Sequence, residues 1–456
     1  MISSQTLRAL AAVVGADYVI SDPTQLESNS RDCYWYSPVL KSQLDDKVGE
    51  VIVRPGTVDE LVAIIRVAVR ARLPITLRGA ATGNYGQSVP LQGGLVLNTK
   101  RLGNILALTP DEVRVETGVV LHTIEQEARK VGAELRFYPS TLLTATAGGF
   151  LAGGSGGVGS VTWGTLWDDD NVRGATIVTV AETPQVLTIT DPQELQGVIH
   201  NCGLSCVIAD LTLALAPAQP WAQYVVAFDT FDAGLRCGEA LAYDRKLLKR
   251  LVTVLEWPIP SFFRQLVRAG ASPEGKAQIL LMVTIDQVEL QQRVAPFGGV
   301  VIWSSPTEDY LKRGLMLSDF SWNHTTLWAM KADEKITYLQ DQFDPERVHQ
   351  QLRQRKERYG DQILGHIEFM KFRGTICPQG MSLVRYQDRD QLWSIMNYCE
   401  EIGILIANPH THYLDEDSRW NGQTLLDAKA RWDPSGLLNP GHLKSRSGQA
   451  DAQQQK

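Results

Sequence analysis

The clearest hydrophobic pattern begins at residue 50. In "EVIVRPGTVDELVAIIRVAVRARLP" the apolar run Val51–Val53 reads as a strand and Pro-Gly as a turn. Leu61, Ile64, Ile65, Ala68 and Val69 then recur at the spacing of one helix face. Thr57 and Glu60 supply an N-terminal capping box, Arg70 and Arg72 suit the helix C-terminus, and Pro74 stops it. Leu73, Ile75 and Leu77 form a second strand, which runs into "TLRGAATGNYGQSVP", a stretch too small and polar to fill a core. "GLVLN" and "EVRVETG" read as further strands, and "VVLHTIEQEARKVG" as a helix with Leu121, Ile124, Ala128 and Val131 on one face, closed by Gly132. Residues 138–164 are dense in glycine and carry no helix start at "SVTWG". "ATIVTV" and "DLTLALAP" restore strand character.

Near residue 218 the pattern changes. Glycine thins out while tryptophan, arginine and glutamine rise. "WAQYVVAFDT", "QILLMVTID" and "GHIEFM" alternate like half-exposed strands, whereas "DAGLRCGEALAYDRKLLKRLVTVL" and "RDQLWSIMNYCEEIG" read as helices. The expected organisation is a glycine-rich domain over 1–218, an α+β domain built on an antiparallel sheet over 219–425, a segment over 426–445, and a disordered polar tail over 446–456.

At 456 residues, two domains are the natural prior. A net charge of −7 argues against a nucleic-acid partner, which selects for basic excess. The six cysteines lack metal or cluster spacing and read as reduced thiols. The N-terminal twenty residues lack a basic n-region and read as a surface helix, and no apolar run approaches the length of a membrane span. A cytoplasmic location is expected.

"GSGGVG" (Gly154, Gly156, Gly159) matches G-x-G-x-x-G, but neither a strand before it nor a helix after it is expected, so a Rossmann site is disfavoured. No Walker lysine is present. The loop after Leu77 makes a better anion cradle. Gly79, Gly83 and Gly86 allow sharp turns, and Ala80, Ala81 and Thr82 add little bulk, so successive N–H groups can converge. A plain surface turn is the competing reading.

The order of segments decides between them. "RPGTVDELVAIIRVAVRARLPITLRGAATGNYGQSVPLQGGLVLNTKRLGNI", then "VRVETGVVLHTIEQEARKVGAELRFYPS", "TATAGGFLAGGSGGVGSVTWG" and "CGLSCVIADLTLALAP" resemble the FAD-binding PCMH-type domain of the vanillyl-alcohol oxidase and p-cresol methylhydroxylase family. "DPSGLLNPGHL" resembles that family's closing segment. The resemblance covers 30–218 and 426–443. It implies a two-domain α+β fold in which two small α/β subdomains cradle FAD beneath a cap domain, nearest to glycolate oxidase and D-lactate dehydrogenase-like flavoproteins.

It also implies roles. Arg78, Gly79, Ala80, Ala81, Thr82 and Gly83 would bind the FAD pyrophosphate, with Gly86 completing the turn. Pro139, Ser140 and Thr141 would run along the flavin and ribityl chain. Thr146, Gly148 and Gly149 would pack backbone against the cofactor. Gly156, Gly157, Trp163 and Gly164 match the following glycine and aromatic positions, and Val207 and Ile208 match a backbone contact to the cofactor. Ala81, Ala147 and Cys206 depart from the family pattern. The loop lacks the histidine through which some members link FAD, so non-covalent FAD is expected.

The reaction implied is oxidation of a CH–OH group, such as a 2-hydroxy acid like D-lactate or glycolate, with hydride passing to flavin N5 and electrons onward to oxygen, a quinone or a partner protein. Substrate residues should come from the second domain, where "SWNHTTLWAMK", "GHIEFMKFRG" and "NPHTHYL" concentrate polar chemistry. His410 and His412, on one face of a strand, are candidate bases. His366 and His324 are further candidates, as are Lys331 and Glu368, and Arg373 could hold a carboxylate. A structural role competes for each histidine. Related D-2-hydroxy-acid dehydrogenases carry G-D-G-N-x-H and E-H-G motifs around a metal; neither is present, and no metal is expected. A non-catalytic or partner-dependent FAD-binding subunit, or an FAD enzyme of another class on the same fold, stays open.

Overall fold

The computed structural model describes residues 2–168, 170–305, 315–415 and 422–444. Four sheets organise the chain. In the first, Ile75–Arg78 and Val51–Val53 flank Leu95–Asn98 in parallel, and Val19–Ile20 pairs antiparallel at the edge. Helix Val58–Arg70 covers this sheet and buries Leu61, Ile64, Ile65, Ala68 and Val69. Its start carries the cap half of the capping box, Glu60 N donating to Thr57 Oγ1 at 3.1 Å, while the Glu60 carboxylate accepts one residue before the cap, from Gly56 N at 2.6 Å. Helix Ser4–Val14 packs against the same layer through buried Leu10 and Val14.

The second sheet is antiparallel and centres on the long strand Val207–Pro217, which pairs with Glu112–Glu116 and Val172–Val178, while Ala133–Leu135 extends its C-terminal half. The third has eight strands and carries the second domain. Its middle strands Ala222–Phe228, Ala277–Val283, Lys249–Leu255 and His366–Phe372 each run antiparallel to the next. A three-stranded sheet (Ile336–Tyr338, Leu383–Arg385, Ile363–Leu364) stands beside it.

Three local expectations are corrected. The helix expected across "DAGLRCGEALAYDRKLLKRLVTVL" ends at Tyr243, and Lys249–Leu255 is a strand buried at all seven positions. Burial on both faces erases the two-residue alternation that marks a strand. The glycine-rich "AGGFLAG" is a helix, Ala147–Gly153, capped by Thr146, and Ser160–Trp163 forms a helical turn after Gly159, whose φ is +110°. His410 and His412 lie in a turn, not a strand: the Asn408 side chain accepts from His410 N at 2.9 Å.

The chain's end returns to the first domain. Helix Gly422–Trp432 reaches the second sheet, where Val180 N donates to Trp432 O at 2.6 Å. Leu438 bridges to Ile75, and Asn439 N donates to Ile75 O at 2.8 Å. Lys429 is buried with Asp433 at 2.8 Å and donates to the carbonyls of Leu204 and Leu438. The tail expected over 446–456 lies outside the described residues.

Candidate functional site

Strand Ile75–Arg78 delivers its loop at the carboxyl end of the parallel pair, where ligands of such sheets bind. Arg78 Nη1 donates to the carbonyls of Asn29 (3.0 Å) and Arg31 (2.6 Å), so its guanidinium anchors the loop to the preceding segment. Behind it, the Asp32 carboxylate accepts from the amides of Tyr34 (2.9 Å) and Ser88 (3.2 Å); burial pushes its pKa up to about 7. Ala81 takes φ +54°, a left-handed step that turns the peptide chain back on itself. Among the described residues, the amides of Ala80, Ala81, Thr82 and Gly83 donate to no protein acceptor. They line a cleft, which is the arrangement an anion needs.

The loop is held close to its neighbours, the opposite wall included. A Cβ at Gly79 would meet Thr146 Oγ1 at 2.3 Å, and one at Gly83 would meet Gln87 Nε2 at 2.0 Å. Across the cleft, Gly148 N donates to Thr117 O at 2.9 Å, and a Cβ at Gly148 would fall 1.6 Å from Thr117 Oγ1. Helix Ala147–Gly153 therefore sits directly on the end of strand Glu112–Glu116. The cleft has about 1390 Å³ of empty space, its mouth included. Arg78 to Gly83, Pro139, Ser140 and Thr141 line it, as do Thr146, Gly148, Gly149, Gly156, Val207 and Ile208.

Four of the expected cofactor residues stand outside this lining. Gly86, at φ +77°, abuts Leu44. Gly157 presses on the Tyr138 carbonyl, where a Cβ would come to 2.1 Å. Trp163 packs under the Arg136 guanidinium at 5.0 Å, and Gly164, at φ +82°, lies over Asp168. Their positions hold the frame of the cleft.

Other lining residues escaped the sequence reading. His200, Cys202 and Gly203 all have positive φ (+53°, +49° and +69°) and bend this segment along the cleft. His200 Nδ1 lies 2.7 Å from Gly154 O. Asn439 ties the segment to the opposite wall, donating to Cys202 O at 2.9 Å and Gln87 O at 2.6 Å. "HNCG" is a cluster of turn formers placed just before a strand, the one local sign that was available.

The second domain closes the far end with Trp322, Asn323, Gln340 and Met381. A small adjoining hollow shares Ser155, Trp322, Gln340 and Met381 with the cleft. Asn84 donates to the Tyr338 hydroxyl and the Tyr85 hydroxyl bonds Gln340, so the loop is fastened to this wall.

None of the expected catalytic side chains lines the cleft. His410 is buried, with Nδ1 2.8 Å from Ser37 Oγ and Nε2 2.9 Å from Tyr338 O; burial pushes its pKa down to about 4. His412 turns away to Gln43 at 3.2 Å. His366 is buried between Glu368 Oε1 (2.9 Å) and Met381 O (3.2 Å). His324 lies in the first turn of helix Asn323–Ala332, and burial pushes its pKa down to about 4. Lys331 stacks on the Trp328 ring at 4.5 Å. Arg373 occupies an exposed turn at φ +47°, its guanidinium over Phe372 and its amide donating to Asp168 Oδ1 at 2.6 Å. A base or carboxylate clamp must reach substrate, so these positions suit structural hydrogen bonding better. Among the described residues no His, Cys, Asp and Glu group could hold a metal ion, and no helix is long and apolar enough to cross a membrane.

Comparison with known proteins points to FAD as the cofactor. Residues 49–188 match the family of FAD binding domains. The chain is 22% identical over 422 residues to the D-lactate dehydrogenase of Archaeoglobus fulgidus, covering 86% of this chain and 91% of that one. It is 29% identical over 199 residues to the glycolate oxidase subunit GlcD of Escherichia coli K12, covering 42% of this chain and about two-fifths (40%) of the relative. An alkyldihydroxyacetonephosphate synthase superposes with a TM-score of 0.71 at 14% identity, covering 97% of this chain and 85% of that one, a likeness of fold. The residues present fit FAD: Ala80 to Gly83, whose amides have no protein acceptor, line the cleft, and small residues build its walls.

Proposed function

We propose that this FAD-dependent oxidoreductase, similar over residues 49–188 to FAD binding domains, oxidises the CH–OH group of a small molecule at the end of the cleft closed by the second domain. The observation that carries the reading is one continuous lining, in which the amide-rich loop at 79–83 and the second-domain residues Trp322, Asn323, Gln340 and Met381 share the same space. Bound there, FAD supplies the two-electron acceptor, and the protein supplies position and electrostatics.

The chain's own residues have separable tasks. The amides of Ala80 to Gly83 hold the diphosphate, with Arg78 keeping the loop in register through Asn29 and Arg31. Thr146, Gly148 and Gly149 hold the opposite wall close. Non-covalent binding fits a cradle that works through backbone amides. The names of the two relatives point to small 2-hydroxy acids as donors, such as D-lactate or glycolate. One relative is itself named a subunit, which favours a partner protein over oxygen or a quinone as the electron acceptor.

Anaerobic stopped-flow mixing of the holoprotein with a panel of CH–OH donors, 2-hydroxy acids foremost, tests this. The flavin band should bleach with at least one donor. A panel that leaves the band untouched contradicts the reading.

A further inference from the structure

We propose that Gln87 completes the cradle with a side chain, its Nε2 donating to the FAD diphosphate where the loop meets helix Ala147–Gly153. This deepens the reading in which the amides of Ala80 to Gly83 hold that diphosphate, and rests on it.

The Gln87 amide group has one orientation. The Tyr85 N–H can only donate, so the side-chain atom 2.9 Å from it is the acceptor, Oε1. Nε2 is then the other atom of the pair. The backbone is pinned as well, since Asn439 Nδ2 donates to Gln87 O at 2.6 Å. Gln87 is only 8% exposed, so the side chain is held rather than free to swing.

Two glycines fix where Nε2 stands. A Cβ on Gly83 would come to 2.0 Å from it, and a Cβ on Gly153 to 3.1 Å. With a carbon–carbon bond of about 1.5 Å, Nε2 lies within about 3.5 Å of Gly83 Cα and about 4.6 Å of Gly153 Cα. Gly83 closes the run of loop amides, and Gly153 ends the helix of the other wall. All three residues line the cleft. A side chain at Gly83 would displace the donor.

The protein leaves this donor unmatched. Among the described residues Nε2 has no acceptor, and it is not sealed from solvent. It therefore stands as a fifth N–H beside the four loop amides. The electrostatics of the cleft give it a task. Among the described lining residues Arg78 alone carries a fixed charge, and its Nη1 is spent on the carbonyls of Asn29 and Arg31. A diphosphate held here depends on N–H donors, and a hydrogen bond to a charged oxygen is among the stronger ones.

The test uses Gln87→Met and Gln87→Glu. Methionine removes both amide atoms and adds no charge. Glutamate keeps an acceptor for Tyr85 N and puts an anion in place of the donor. Dilution of each FAD-loaded protein, followed by the flavin fluorescence that returns on release, gives the Kd. We expect the Kd to rise about ten-fold in Q87M, the effect of losing one hydrogen bond to a charged group, and about a hundred-fold in Q87E, where a carboxylate also meets the phosphates. A role limited to holding Tyr85 predicts the reverse order, because only methionine loses that acceptor. The reverse order, or an unchanged Kd in Q87E, overturns the proposal. Q87E decides alone if methionine unfolds the loop. ADP, which carries the diphosphate without the flavin, is the second probe. Its affinity, read from displacement of FAD, should fall in Q87E by the same factor; FAD weakening with ADP affinity unchanged assigns Gln87 to the flavin half and overturns the proposal. Should ADP displace no FAD from wild type, the amide cradle itself falls and Gln87 with it, a result distinct from a cradle that binds ADP and ignores Gln87.

Discussion

Gly157→Ala gives the sharpest test of how the cleft is framed. Gly157 has ordinary backbone angles, so alanine brings no conformational strain of its own. The added methyl would stand 2.1 Å from Tyr138 O, 2.6 Å from its carbonyl carbon and 3.0 Å from Pro139 N. All three are backbone atoms and cannot rotate away. Ordinary contact begins near 3.4 Å, so the two segments must part by about 1.3 Å (3.4 less 2.1). That separation breaks the bridge between Tyr138 and Val158, whose two hydrogen bonds measure 3.0 and 2.8 Å. At about 1–2 kcal/mol for each buried pair lost, the cost is about 2–4 kcal/mol. The same movement displaces Pro139, Ser140 and Thr141, which line the cleft. Equilibrium denaturation of the apoprotein and FAD content of the purified holoprotein read the two consequences. Gly103→Ala is the control: its methyl meets nothing closer than 3.6 Å, and its stability should stay within about 0.5 kcal/mol of wild type. A Gly157→Ala protein with full FAD content and an unshifted denaturation midpoint would refute the reasoning.

Two further outcomes are expected. Arg250 is buried 3.1 Å from Glu134 and donates to Leu135 O at 2.8 Å, while Glu134 also accepts from Arg129 and Trp221. Arg250→Met strands buried carboxylates and should cost about 3–5 kcal/mol by urea denaturation, with Glu134→Gln in the same background restoring part of it; an unaltered midpoint would remove this network from the list of what holds the domains together. Burial pushes the pKa values of His410 and His442 down to about 4, below the 6.5 of an unfolded histidine. Their stabilisation is complete above pH 6.5 and is lost as pH falls towards 4, by about 3 kcal/mol each. His410→Gln should therefore flatten the fall in denaturation midpoint between pH 6.5 and 4, and should leave flavin bleaching kinetics at pH 7.5 unchanged.

Legibility followed the physics of each segment. Helix Val58–Arg70 was readable because one face is apolar, the other polar, and both ends carry stop signals. The cradle loop was readable because its small residues have no core role and because segments follow it in a recognisable order. Helix Ala147–Gly153 was not, since "AGGFLAG" has almost no side-chain contrast; Gly148 is set by contact with Thr117, which lies 31 residues earlier. Strand Lys249–Leu255 was hidden by burial on both faces. The substrate end was the least legible part. Trp322 and Asn323, Gln340, and Met381 come from three separate segments that meet only on folding; "SWNHTTLWAMK" drew attention for its histidine and lysine, and Gln340 and Met381 stand in no motif. The histidines that drew attention instead are conspicuous as residue types, yet His410 and His366 spend their ring nitrogens on protein atoms.

The central claim is that this cleft binds FAD through backbone amides and without a covalent bond. One measurement addresses it directly: the visible spectrum of the purified protein, taken before and after acid precipitation. The account predicts a yellow protein with about one FAD per chain, all of it released to the supernatant. Flavin retained in the pellet would contradict the non-covalent cradle, and a protein that stays colourless when FAD is added would contradict the site itself.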